Sequence, residues 1–196
     1  MKDGAEGGLD QRIAVRVRDL RASRGLTLEA LAERSSVSRS MISLIERGES
    51  SPTAVLLERL ATGLNVPLAS LFDAPSASRE PVARRADQPH WRDPASGYVR
   101  RNVSPAGFPT PIQIVEVEFP RGARVAFDTG ARDAHVHQQV WVLEGTIDVS
   151  VGDTRHALEK GDCLAFALDR PVTFHNRGGK AARYAVVIVS EPGIGR

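Results

Sequence analysis

The periodicity of apolar residues changes near residue 73, and this change restricts the fold more than any other feature of the sequence. From Leu9 to Phe72 apolar residues recur at steps of three and four, which is the period of an amphipathic α-helix. From Tyr98 onward they recur at every second position, which is the period of a half-buried strand. The 196 residues therefore predict an α+β multidomain chain, with an all-α domain before an all-β domain.

Short breaks divide the helical half into five predicted helices. The breaks fall at residues 24–25, 36–37, 48–52 and 63–67. Three of them are followed by a hydroxyl side chain that can accept a hydrogen bond from the next helical turn: Thr27, Ser38 and Thr53. We therefore predict an all-α five-helix domain over residues 9–73, preceded by a disordered N-terminus at residues 1–8.

Residues 74–97 show neither period. This segment contains four prolines and more arginines than acids, which is typical of a linker. Beyond it, turn residues recur about every ten positions between short apolar stretches, as in an antiparallel sandwich or barrel. We therefore predict a linker at 74–97, within which a short strand is left open, and a β domain at 98–196.

Composition excludes several classes of protein. No apolar run approaches the roughly 18 residues of a membrane-spanning helix, and the first residues lack the apolar core of a secretion signal. The single cysteine, Cys163, cannot form an internal disulfide, so the cytoplasm is the expected location. A formal net charge of +2 is too small to indicate nucleic-acid binding, which would need cations placed on one face.

The segment from Thr27 to Gly48 predicts two short helices joined by a tight turn. The first buries Leu28 and Leu31, and the second begins at Ser38 and buries Ile42. The start of the second helix contains no acid, which suits an approach to phosphate. Its exposed positions are predicted to be Arg39, Ser40, Ser43, Leu44 and Arg47.

This segment, with its Glu46-Arg47-Gly48 ending and the following Ser51-Pro52-Thr53, resembles the helix-turn-helix of the lambda-repressor and Cro-like (XRE) regulators. The resemblance implies that the second helix reads base edges in the major groove of double-stranded DNA. It leaves open whether Leu44 touches a thymine methyl or packs internally. The implied DNA-binding residues are Thr27, Ser38, Arg39, Ser40, Ser43 and Arg47.

The β half resembles the cupins, whose fold is a double-stranded β-helix barrel. The resemblance is carried by Gly130, His135-Val136-His137, Val142-Leu143-Glu144-Gly145, Gly161-Asp162, Pro171 and Asn176. It implies an all-β cupin barrel, which in metal-binding members holds its ion by two histidines two apart, a Glu or Gln, and a later histidine.

The implied metal site is incomplete in this sequence. His135 and His137 match the first two ligands, but Val172 stands where the later histidine is expected. The third ligand is Gln138 when counted back from Gly145 and Gln139 by strand parity, and parity favours Gln139. We therefore expect no required cofactor, with a divalent metal at His135, His137 and Gln139 as the less favoured alternative to an organic ligand.

The expected ligand pocket follows from the same parity. His135, His137 and Trp141 occupy alternate positions of one strand, so they are predicted to share the barrel interior. Later strands add aromatic walls. The full predicted pocket is His135, His137, Gln139, Trp141, Phe174 and Tyr184.

Together these features predict a sequence-specific DNA-binding transcriptional regulator rather than an enzyme. The cupin barrel would sense a small-molecule effector and support a homodimer, which presents two reading helices to a symmetric DNA operator. No catalytic residues are assigned. The alternatives are a metal-dependent cupin oxygenase or isomerase with a DNA-binding head, and an adaptor whose helices bind protein.

Overall fold

The computed structural model describes residues 3–72, 80–128 and 135–191. We call residues 3–72 the head and the described residues from 90 onward the barrel. The α-helices of the head are α1 (Asp3–Ser23), α2 (Leu28–Ser35), α3 (Arg39–Glu46) and α4 (Ala54–Gly63), followed by a 3-10 helix at Leu68–Phe72.

Two predictions for the head are wrong, one for its last helix and one for its N-terminus. Within the described residues there are four α-helices, and the fifth predicted helix is the 3-10 helix, because Pro67 and Pro75 leave too few residues between them for a stable α-helix. The N-terminus was predicted to be disordered as far as residue 8, whereas α1 begins at Asp3. Extension of an already packed helix costs little per residue, so α1 continues through a glycine-rich stretch.

The predicted helix caps are confirmed. The Thr27, Ser38 and Thr53 hydroxyls accept hydrogen bonds from the backbone N–H groups of Ala30, Met41 and Leu56, at 3.1, 3.2 and 3.3 Å. Each bond satisfies one N–H that has no partner inside its own helix. The three caps therefore fix where α2, α3 and α4 begin.

The helices of the head pack around one apolar core. Ile13, Leu31, Ile42 and Leu57 are fully buried in it. An ion pair ties α1 to α3, with Arg21 Nε 2.7 Å and Arg21 Nη2 2.8 Å from the two carboxylate oxygens of Glu46. These contacts hold α3 in a fixed orientation with one face toward solvent.

The barrel consists of two facing antiparallel sheets, which agrees with the predicted cupin-like β domain. One sheet has the order β1-β2-β3-β10-β5-β8 and the other β4-β9-β6-β7. The strands are β1 (His90–Arg92), β2 (Val99–Asn102), β3 (Ile112–Phe119), β4 (Arg124–Phe127), β5 (His135–Glu144), β6 (Thr146–Val151), β7 (Thr154–Glu159), β8 (Cys163–Ala167), β9 (Val172–His175) and β10 (Ala182–Glu191).

The predicted linker contains the short strand that the sequence left open, but its second half is paired and partly buried instead of being a free connection. Residues 90–92 form strand β1, which pairs with β2, and Trp91 is only 4% exposed. The Asp93 carboxylate is buried and accepts a hydrogen bond from the backbone N–H of Ala54, at the start of α4, at 2.9 Å. This segment is therefore a structural connection between head and barrel; residues 73–79 lie outside the described residues.

Aromatic rings continue this connection into the barrel. Phe72 of the head lies 5.8 Å from Trp91, measured between ring centroids, and Trp91 lies 6.0 Å from Tyr98. From Tyr98 the ring contacts continue through Phe119, Tyr184, Phe174 and Phe127. Head and barrel thus share one apolar core. Among the described helices, none is long and apolar enough to cross a membrane.

Candidate DNA-binding surface and barrel cavity

Helix α3 presents a polar face to solvent. Ser36, with a φ of 53°, ends α2 in the left-handed conformation, and buried Val37 closes the turn before α3 begins. Arg39, Ser40 and Ser43 line a shallow depression beside Leu28. The first turn of α3 contains no acid, as the sequence predicted. This face can approach an anionic surface with its positive dipole end foremost.

The remaining predicted DNA contacts lie near this face. Thr27 and Ser38 are exposed at the starts of α2 and α3, where they cap those helices. Arg47 is exposed at the end of α3, where Nη1 donates to Ser43 and Nε lies 2.7 Å from Glu49 Oε1. Leu44, whose role the sequence left open, is partly exposed. All six predicted residues therefore lie in α2, α3 or their caps.

Arg39 is held by an acid in the absence of DNA. Its Nε lies 2.6 Å from Glu29 Oε1, and both side chains are more than half exposed. The Glu29 carboxylate accepts a hydrogen bond from the backbone N–H of Glu29, and this bond holds the pKa of Glu29 below its usual range. The nearby positive charge of Arg39 lowers this pKa further. DNA must therefore compete with Glu29 for this guanidinium.

We expect Glu29→Gln to raise affinity for DNA by about two- to fivefold, because it releases Arg39 from an exposed ion pair of modest strength. The measurement is fluorescence anisotropy with labelled DNA at several salt concentrations. Glu33→Gln is the matched control, since it removes an exposed acid from the same helix. An equal gain in both variants would show that only net charge matters.

Barrel and head together line a partly open cavity of about 70 Å³. Its walls are mainly aliphatic and aromatic, with Gln138, Glu58 and Arg100 as the amide and charged side chains. The lining residues are Glu58, Pro67, Leu68, Tyr98, Arg100, Val117, Phe119, Val125, Phe127, Val136, Gln138, Leu168, Val172, Phe174, Tyr184, Val186 and Ile188.

The parity assumed for β5 is wrong. His137, Gln139 and Trp141 are exposed on the outer face of the barrel, with Trp141 50% exposed, so they do not line the cavity. The interior face carries Val136, Gln138, Val140 and Val142 instead. In the same sheet this set lies beside the buried side chains of the neighbouring strand β10. Gln138, the residue left as the alternative to Gln139, lines the cavity.

Two of the predicted pocket residues are in place. Phe174 and Tyr184 line the cavity with their rings stacked at 5.7 Å and an angle of 4°. His135 begins β5, but its side chain lies outside the described residues. The sequence therefore predicted the aromatic lining residues of β9 and β10 but assigned the wrong face of β5 to the cavity.

The residues present do not fit a divalent metal inside the barrel. Val172, at the position of the expected histidine ligand, is buried and lines the cavity as an apolar wall. His137 and Gln139 face away from it. Within the described part of the chain no three His, Cys, Asp or Glu side chains form a group that could hold a metal ion.

Among the lining residues that the sequence did not predict, Arg100 and Glu58 are the two charged ones. Arg100 is 7% exposed and shares a strand face with Tyr98, so the alternation from Tyr98 could have placed it inside. Glu58 lies in α4 and is also 7% exposed. Nothing in the helical pattern predicted that a residue of the head would reach the barrel cavity.

Both tyrosines of the chain are buried in this region. Burial raises the pKa of Tyr98 and of Tyr184 above the usual value. Their hydroxyls are therefore neutral at physiological pH, where they can donate or accept hydrogen bonds.

We expect the folded protein to show no tyrosine ionisation near pH 10, where an exposed tyrosine titrates. In the unfolded chain both phenols ionise there, so the free energy of unfolding falls as the pH rises above about 10. Absorbance at alkaline pH, followed together with circular dichroism, tests this. A reversible ionisation near pH 10 with unchanged dichroism would show that a tyrosine is accessible.

The outer face of the six-stranded sheet exposes three large apolar side chains. Ile112 is 45%, Ile114 37% and Trp141 50% exposed. Val187 of β10 lies between Ile114 and Gln139 in the sheet, so these side chains belong to one continuous surface. An exposed apolar surface of this kind is typical of a protein interface.

Comparisons with known proteins match both halves of the chain. A helix-turn-helix family model matches residues 17–71, and a cupin domain model matches residues 118–189. The HTH-type transcriptional regulator SutR of Escherichia coli (strain K12) is 28% identical over 176 residues, covering 90% of this chain and 93% of that protein. The crystal structure of an HTH_3 family transcriptional regulator from Vibrio cholerae is 27% identical with a TM-score of 0.76, covering 93% of this chain and 97% of that one.

Proposed function

We propose that this chain, which carries a helix-turn-helix domain of the XRE type and a C-terminal cupin domain, binds a specific DNA operator and that a small molecule in the barrel cavity alters this binding. The observation that carries the proposal is the exposed, acid-free start of α3, where Arg39, Ser40 and Ser43 face solvent together. The cytoplasm is the corresponding location, because the operator is there.

Footprinting of the full-length protein on DNA upstream of its own gene tests this function. We expect protection over two half-sites on one face of the duplex, because a symmetric pair of reading helices enters successive major grooves. Protection that covers every sequence equally would instead indicate non-specific association through phosphate.

The proposed role of the barrel is to bind rather than to catalyse. Support comes from the cavity itself, whose mostly apolar walls and few polar groups are typical of a small-molecule binding site. The outward direction of His137 and Gln139 supports this role, because the oxygenase or isomerase alternative depends on a metal site that would use both side chains inside the barrel.

We expect a homodimer at micromolar concentration, assembled through the outer sheet face that holds Ile112, Ile114 and Trp141. Ile114→Glu with Trp141→Glu should give a monomer, because two charges would be buried unpaired in the interface. Light scattering after size-exclusion chromatography measures the mass. Val82→Glu, at a 55% exposed position outside the barrel sheets, is the control. A dimeric double variant would place the interface elsewhere, and a monomeric wild type would contradict the homodimer.

A further inference from the structure

Residues of both domains line the barrel cavity. Glu58 of α4 and Leu68 of the 3-10 helix line it from the head, while Arg100 and Gln138 line it from the barrel. A molecule bound there would therefore touch the DNA-binding domain directly. It would not need a signal transmitted through a separate linker.

The charges that line the cavity sum to zero. Glu58 contributes one negative charge and Arg100 one positive charge, and both residues are buried. The other lining residues are apolar, amide or phenolic side chains, and burial keeps the phenols of Tyr98 and Tyr184 neutral. A ligand with a single net charge would add an uncompensated charge to a site with mostly apolar walls, which is costly. A ligand of net charge zero adds none.

The size and walls of the cavity restrict the ligand further. A volume of about 70 Å³ corresponds to roughly five water molecules, at about 10–15 Å³ each. The stacked rings of Phe174 and Tyr184 and the side chains of Phe119 and Ile188 favour an apolar body. The fitting molecule is therefore small and amphipathic.

The cavity is physically connected to the helices that position α3. The Arg100 guanidinium carbon lies 5.2 Å from the ring centroid of Phe72, the last residue of the 3-10 helix. Helix α4, which carries Glu58, packs closely on α2: a Cβ at Gly63 would lie 2.8 Å from the Cβ of Ser35. A shift of α4 must therefore displace α2, whose next neighbour in the chain is the reading helix.

We infer that the cavity takes a small amphipathic molecule of net charge zero, held between α4 and the barrel, and that its occupancy changes DNA affinity within a single chain. This inference rests on the proposed function, because its readout is operator binding. Coupling arises if the ligand binds differently to the two arrangements of α4 on the barrel.

The ligand class is tested on the wild-type, full-length protein with four aliphatic probes of equal chain length. These are zwitterionic L-norvaline, neutral pentanamide, anionic pentanoate and cationic pentylamine, each titrated by calorimetry at neutral pH. We expect the better of the two net-neutral probes to bind at least about tenfold tighter than either ion. Equal or tighter binding of pentanoate or pentylamine, or no binding of any probe, would overturn the inference.

A charge variant tests the source of the preference. Glu58→Gln removes the negative charge from the residues that line the cavity, so their net charge becomes positive and the preferred probe should become pentanoate. Glu33→Gln removes an exposed acid of the head that does not line the cavity, and it should keep the wild-type order. An unchanged order in a folded Glu58→Gln protein would overturn the inference. If that variant does not fold, the wild-type ranking still decides.

Coupling is tested by operator titration with and without the tightest probe. We expect a shift of at least about fivefold in wild type and in Val55→Ala, which alters α4 away from the cavity, and a smaller shift in Leu68→Ala. Probe binding without any shift in wild-type operator affinity overturns the inference alone. Failure of the probe-free protein to bind an operator overturns the proposed function as well.

Discussion

Trp91→Ala is expected to lower the free energy of unfolding of the whole chain by about 3–5 kcal/mol. Trp91 is 4% exposed and contacts the rings of both Phe72 and Tyr98. Its removal leaves a void in the core that joins head and barrel. A head cut off after residue 72 would lose the ring contacts of Trp91. It would also lose the hydrogen bond that the Asp93 carboxylate accepts at the start of α4, so it should be less stable than the full chain.

Urea denaturation followed by circular dichroism and by fluorescence measures this effect. Phe108→Ala is the control, because that ring is 40% exposed and takes no part in the aromatic contacts of the junction. We expect the control to change stability by no more than about 0.5 kcal/mol. A loss below about 1 kcal/mol in Trp91→Ala, or separate transitions for helix and sheet in wild type, would mean that the two domains unfold independently.

Arg39→Ala is expected to weaken operator binding by about 1–3 kcal/mol and to relax the base preference at one position of each half-site. Arg39 is two-thirds exposed at the start of α3, where its guanidinium can reach a guanine edge once Glu29 releases it. The loss on random DNA should be much smaller.

Arg18→Ala serves as the comparison for Arg39→Ala. It removes an exposed arginine from α1, outside the depression on α3, so it should weaken specific and random binding alike or neither. Equal losses on operator and random DNA for Arg39→Ala would show that this side chain contacts phosphate and carries no sequence information.

The helical half was predictable because its signals are local. Each cap hydroxyl acts on an N–H only three residues away, so Thr27, Ser38 and Thr53 could be read directly from the sequence. The last predicted α-helix is a short 3-10 helix instead. Apolar periodicity alone does not distinguish a 3-10 turn from a short α-helix.

The error in β5 shows that the inward face of a strand has to be assigned from its buried aliphatic residues. The histidines of β5 were assumed to face inward, which placed Trp141 inside as well. The valines at 136, 140 and 142 point the opposite way and are buried. A one-residue shift of parity exchanges the two faces completely, so one wrong assumption misplaced several side chains together.

The contacts between the domains could not be read from the sequence. Trp91 and Asp93 stand in a proline-rich segment without periodicity, so nothing local shows that both are buried. Glu58 and Arg100 are far apart in sequence and line the same cavity only because the barrel docks against α4. Such long-range pairings depend on tertiary packing rather than on local preference.

We expect the full-length protein to recognise a particular DNA sequence through α3. The most direct test is an anisotropy titration, at one fixed salt concentration, of DNA from upstream of its gene against a scrambled duplex of equal length. The upstream DNA should bind at least about 10³-fold tighter. Equal affinity for the two duplexes would contradict it.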